Sequence, residues 1–318
     1  MLINKSNFDQ YNILILSISL LYSLLIASGL YGFGNDYYAA YYKSNLDWGG
    51  IFDRLGFLVS TLTLFEVNLG VGIVSFILAF SVGLLIKDFH KSKNICSITT
   101  FILLYFLIIH SWPIIMSTSN AMRQGLAMSF IFFALYTSHK NLVWVIIFTT
   151  FAIFLHKSGL FFGLIMAVSI FTYNLFRNEQ YSSQIMMHFS LGLMFFIIAY
   201  FLVHLYTGNV QESKIINGDF RGAFILIGVA YVALSFIYKE LTSNIAHLNL
   251  FYFSLISPAV LMNGLNWEYE RLGMMMLIPY IFYFAYIFDR SSSRIVIFLA
   301  FIILVSLTFY QGMYSSLK

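Results

Sequence analysis

Charge is scarce in this chain. Only 9% of its 318 residues are Asp, Glu, Lys or Arg, against about a quarter in an ordinary soluble domain. Apolar residues make up 60% and mean hydropathy is +0.84, more apolar surface than one water-soluble core can hide. Cysteine is scarcer still. Cys96 stands alone, which excludes an intramolecular disulfide and any cysteine-based metal cluster. The formal charge of +4 is spread over many loops, and no basic block suggests nucleic acid. The chain also lacks a P-loop, an HExxH, a GxSxG and a DxD metal–nucleotide signature. ATP hydrolysis and zinc or serine hydrolase chemistry are therefore disfavoured, and neither a metal nor a cofactor is expected. Acids are sparse in the centres of the apolar runs, which weakens a proton-coupled transporter.

What remains is a series of long apolar runs. In lipid every backbone polar group must be satisfied internally, so such runs mean helices; barrel strands would alternate apolar and polar residues, and these do not. The expected fold is all-α, a polytopic integral membrane protein forming one domain over 1–318. Polar punctuation gives about eleven spans, near 12–33, 68–87, 96–116, 121–138, 141–156, 159–176, 185–206, 222–239, 245–264, 272–288 and 294–311. The first run carries no small-residue cleavage site and is read as a span rather than a removed signal peptide. The stretch Lys87–Lys93, "KDFHKSK", is read as a short connection with three lysines, hence cytoplasmic. The N-terminus is then inside. Nine Lys/Arg fall inside and eight outside, and four of the seven arginines are outside: Arg54, Arg123, Arg221 and Arg271. Outer cations that resist the positive-inside rule need a reason, and binding an anion is one.

Four outer segments hold most of the chemistry. In Gly32–Asn68, residues 51–66 read as an amphipathic helix in the interface, carrying Asp53, Arg54 and Glu66. Tyr37, Tyr38, Tyr41 and Tyr42 flank Asp36 there; they suit either an interfacial aromatic belt or sugar stacking, and Asp36 suits a helix cap. The second segment is "STSNAMRQGLAMS", residues 117–129. With Ser119 or Asn120 as N-cap, Arg123 lies in the first helical turn, where the macrodipole is already positive. Snorkelling to headgroups would explain it; so would binding a phosphate or pyrophosphate with the helix N–H groups. The third is "FLHKSGLFF", Phe154–Phe162. The apolar run before it, Leu142–Leu155, spans only about 21 Å against about 30 Å of hydrocarbon. His156 and Lys157 then sit at a hairpin tip short of the outer surface, where ionisable groups need partners or a watery recess. His110 and His204 also fall toward the outer side and suit simple packing. The fourth, Asn263–Phe284, crowds Glu268, Glu270 and Arg271 at a helix entrance, either a self-neutralising set or an anion-binding Arg with a carboxylate free for base work. The loop Tyr206–Gly222 adds Arg221 and has the length of a lid or binding loop.

Several of these stretches together resemble a known family. "GND" followed by spaced tyrosines (Gly34–Tyr42), "FE" at Phe65 and Glu66, "NAMRQGLAMSF" (Asn120–Phe130), "HKSGL" (His156–Leu160) and a late Arg271 before an aromatic-rich span occur in the order of the EpsG-like branch of Wzy-type polysaccharide polymerases. The central two motifs are the specific ones. The resemblance implies a polymerase that joins oligosaccharide repeat units carried on undecaprenyl pyrophosphate, on the outer face of the bacterial cytoplasmic membrane, making O-antigen, capsule or exopolysaccharide. It implies lipid-linked donor and acceptor glycans as partners, with room for a chain-length regulator. On this reading transfer is inverting and metal-independent. His156, Arg123, Arg271 and Asp36 are the catalytic candidates; Asn120, Gln124, Lys157, Arg54, Tyr37, Tyr41, Glu66, Arg221, Glu268 and Glu270 are the substrate-binding ones. A flippase for lipid-linked sugars, a glycan ligase and an O-acyltransferase are the rival readings.

Overall fold

The structure, a computed structural model, describes residues 5–33, 67–93, 98–119, 121–138 and 141–156, and the single positions 159, 163, 190, 194 and 302. Every regular element among them is helical: α1 Lys5–Ala27, α2 Val67–Lys93, α3 Ile98–Ile109, α4 Trp112–Ser119, α5 Met122–Thr137 and α6 Leu142–Leu155. The chain divides into two compact units, Met1–Gly163 with Phe288–Lys318, and Leu164–Ile287. All six helices belong to the first; of the second only Ser190 and Met194 are described. The expected spans beyond residue 159, the interfacial helix at 51–66 and the single domain over 1–318 fall largely or wholly outside the described residues.

Among the described residues two stretches have the length and composition of a membrane span, Gln10–Ala27 and Leu69–Asp88, with mean hydropathies of 1.7 and 2.5. The faces of α1 point the same way. Ile13, Leu16, Leu20 and Leu24 are exposed along one stripe, while Ile15, Ser19, Tyr22 and Ile26 are buried along the other. A surface helix of a soluble protein places its hydroxyls outward. Here they turn inward and the aliphatic side chains turn out, as lipid requires. Beyond Ala27 the chain stops in a Schellman turn. Leu30 N–H bonds to the Leu25 carbonyl and Gly29 N–H to that of Ile26, with Gly29 at φ +79°, a conformation that favours glycine.

Helix α2 runs antiparallel to α1. Lys87 pairs with Asn12, Gly83 meets Ile15, and Gly72 meets Ser23 and Ala27. Small residues line this seam because helix association in lipid rests on close packing and hydrogen bonds, without a hydrophobic drive. Tyr105 of α3 inserts beside it. Its hydroxyl donates to the Ala79 carbonyl at 2.8 Å and lies 2.7 Å from Ser19 Oγ. A Cβ at Gly83 would come within 2.9 Å of the Tyr105 ring and hydroxyl, so only glycine leaves room for it. Ring contacts from Tyr11 to Phe101 and from Tyr22 to His110 make α3 parallel to α1.

Two expectations need correction. The stretch Lys87–Lys93 is no loop but the last turns of α2. Lysine is a good helix former, and its long stem lets the ammonium find a polar partner while the backbone stays helical. Lys87 is 6% exposed and bonds Asn12 Oδ1 at 2.5 Å. The expected span 96–116 is two helices, broken at His110 and Ser111. Pro113 has no N–H for the Ile109 carbonyl, so the ladder cannot run through. Ser111 manages both ends of the break. Its hydroxyl donates to the Ile108 carbonyl at 2.6 Å, and its own carbonyl accepts from Ile114 and Ile115 at 3.0 and 3.1 Å. His110 stacks on Phe106 and meets Tyr22 and Tyr31 edge-on, packed as the plainer reading of it expected.

Candidate functional site

Helices α5 and α6 form an antiparallel hairpin held by rings. Phe130 stacks on Phe151 at 5.5 Å and Phe133 lies 5.5 Å from Phe148. This register sets the site. Arg123 is seven residues before Phe130 and His156 five after Phe151. At 1.5 Å per residue they rise about 10 Å and about 8 Å beyond that ring pair, toward the same end of the hairpin. Two residues 33 positions apart in sequence thus come to nearly one level, on helices whose axes pack roughly 8–10 Å apart.

Each is placed by its helix terminus. α6 begins with Asn141, whose side chain accepts from Val143 N–H at 2.9 Å. It ends at His156, which leaves the helix in extended conformation (φ −162°, ψ 146°) with its N–H still bonded to the Ala152 carbonyl. The expected 14-residue run, Leu142–Leu155, is the observed helix. Gly159 N–H then returns to the His156 carbonyl at 2.8 Å. A Cβ on Gly159 would overlap the Ala152 carbonyl, and one on Gly163 would crowd Thr149 and Ile153. The tip is therefore a tight turn clamped on α6.

The start of α5 differs from expectation. Its N-cap is Ala121, without a side-chain cap, rather than Ser119 or Asn120. Ser119 closes α4 instead and donates its hydroxyl to the Ile115 carbonyl at 3.0 Å. Arg123 stays in the first turn, as expected. Around it Ala121, Met122 and Gln124 are buried, while Arg123 is half-buried. A recessed helix start, its first N–H groups and a guanidinium fork together suit an anion with several oxygens. The His156 imidazole at the same level adds a donor and an acceptor nitrogen.

Sequence reasoning passed over Gly125. A Cβ there would overlap the Ser117 carbonyl, so α4 lies with its backbone directly on the first turn of α5. The glycine inside "NAMRQGLA" was the only signal. Among the described candidates, Arg123 and Gln124 are neighbours in the first turn of α5, and His156 follows the end of α6 at nearly the same level. Asp36, Tyr37, Tyr41, Arg54, Glu66, Asn120, Lys157, Arg221, Glu268, Glu270 and Arg271 lie outside the described residues. Among the described residues no group of His, Cys, Asp and Glu could hold a metal ion.

The model of the EpsG family matches residues 12–317. No curated protein matches the chain, and no solved structure does.

Proposed function

The chain belongs to the EpsG family, membrane proteins linked to exopolysaccharide synthesis, and from that premise we propose that it is the polymerase of lipid-linked repeat units. It would work in the bacterial cytoplasmic membrane with its site facing outward. A hydroxyl of the acceptor glycan attacks the anomeric carbon of the donor chain, with inversion, and undecaprenyl pyrophosphate leaves. Arg123 and Arg271 stabilise the charge that grows on the departing pyrophosphate. His156 takes the proton of the attacking hydroxyl; Asp36, Glu268 and Glu270 are the carboxylates that would replace it in that role or orient the sugar. Asn120, Gln124, Lys157, Arg54, Arg221 and Glu66 hold the substrate, and Tyr37 and Tyr41 stack on its sugars.

The observation that carries this reading is the register of α5 against α6, which supports Arg123 and His156 acting on one substrate. One feature favours a second reading. A helix broken between α3 and α4 is a device of membrane transporters, and a flippase of lipid-linked sugars would use the same outer cations. The test supplies the purified protein, reconstituted in lipid, with lipid-linked repeat unit alone. A ladder of products on a gel is expected. Movement of the lipid-linked unit across the bilayer without longer products would replace the polymerase with the flippase.

A further inference from the structure

We propose that α4 is a positioning strut for Arg123 and that Gly125 is the residue that seats it. The inference rests on the reading above, in which Arg123 holds a pyrophosphate on an isoprenoid carrier. The contact between α4 and α5 is backbone on backbone. A Cβ on Gly125 would overlap the carbonyl oxygen of Ser117 and crowd the Ser117 carbonyl carbon and Cβ. No rotation of a flexible side chain relieves such an overlap, so one helix must move. Within α5 the Ser129 hydroxyl donates to the Gly125 carbonyl at 2.9 Å.

The movement would be carried to Arg123. The end of α4 is knitted to itself: the Thr118 and Ser119 hydroxyls both donate to the Ile115 carbonyl, at 2.9 and 3.0 Å. Ala121 N–H, immediately before α5, donates to the Met116 carbonyl at 2.8 Å. The last turn of α4 and the start of α5 are thus one hydrogen-bonded body, and Arg123 lies two residues before the glycine on which it rests. The other end of α4 is set by the break at Ser111 and Pro113. The break has a use on this account. It frees α4 from the axis of α3, so that its C-terminal carbonyls can lean on α5.

The test is a double-mutant cycle read as binding. Undecaprenyl pyrophosphate is titrated against the purified protein in lipid nanodiscs, for the native chain, Gly125→Ala, Arg123→Ala and the double variant. Gly125→Ala is expected to weaken binding about tenfold, since small misplacements of a charged clamp are costly. In the Arg123→Ala background it should add nothing, because interactions routed through one residue are not additive. Equal weakening in both backgrounds, or unchanged binding by Gly125→Ala, overturns the strut. Absence of binding by the native chain overturns the pyrophosphate reading, and the strut with it. Should Gly125→Ala fail to fold, Pro113→Ala replaces it. Alanine favours the helix, so this variant keeps its thermal midpoint while reseating α4. Binding weakened about fivefold, and only when Arg123 is present, supports the strut; native binding in Pro113→Ala overturns it.

Discussion

The three-helix seam of α1, α2 and α3 and the hairpin of α5 and α6 solve the same problem by different means. In lipid neither gains from hiding apolar surface, because the surroundings are as apolar as the side chains. The seam uses directed bonds and missing side chains: Tyr105 bonds Ala79 and Ser19, and Gly83 leaves room for it. The hairpin uses rings, Phe130 on Phe151 and Phe133 beside Phe148, each pair at 5.5 Å, and neither contact carries a directed bond. Each terminus at the tip is also seated by a glycine contact, Gly125 of α5 on Ser117 of α4 and Gly159 on Ala152 of α6. Those contacts lie at the end that carries Arg123 and His156. The directed interhelical bonds lie in the seam, and the candidate residues lie at the hairpin tip.

Substitutions that separate the two regions test this division. The largest effect belongs to the tip. Arg123→Ala should abolish long polymer in cells that otherwise make it, a loss of at least about a hundredfold if the residue stabilises the leaving group, while the protein still inserts and keeps its melting midpoint. Wild-type chain lengths in that variant would remove Arg123 from the mechanism. Next comes Gly83→Val in the seam. Overpacking against Ile15 and the Tyr105 ring should cost about 2 kcal/mol, read as a lowered melting midpoint in detergent. Product formed per folded molecule should stay native. A specific activity that fell with it would mean the seam also shapes the site. The smallest effect is Tyr105→Phe. Hydrogen bonds between membrane helices average about 0.6 kcal/mol, so the midpoint should fall by only a few degrees, again with native specific activity. A large loss of stability would make Tyr105 the keystone of the seam rather than one of several ties.

How much of this was legible in the sequence depends on where the information lies. Leu142–Leu155 could be read to the residue, because an apolar run bounded by Asn141 and His156 has its cap and its stop written locally. The ends of α5 fall within one residue of the expected 121–138, whereas α1 is Lys5–Ala27 against an expected 12–33, because polar residues continue the helix at its start and Gly29 ends it early. The break at His110 was not. Both halves are apolar, hydropathy averages across them, and only Pro113 marks the interruption of one hydrogen bond. Ser119 as N-cap was a sound local choice, defeated because α4 claims that hydroxyl for its own end. The Lys87–Lys93 stretch looked like a loop because charge was taken for punctuation, yet charged side chains continue a helix readily where it leaves the apolar zone. The convergence of Arg123 and His156 at one level came from a tertiary register set by Phe130, Phe133, Phe148 and Phe151. Periodicity holds no trace of which ring meets which.

The shortness of α6 has a consequence for the lipid around it. Its outward face, with Leu142, Val143, Ile146, Phe151 and Phe154 exposed, meets acyl chains over 14 residues. That length falls about 9 Å short of the hydrocarbon thickness. Such mismatch is relieved when the leaflet thins or its headgroups sink. At the His156 end a phosphate carried on an isoprenoid would then ride lower than the surrounding surface. On the proposed function, the thickness of the host membrane would then be a dimension of the site, set by fatty-acid composition and growth temperature as well as by the chain.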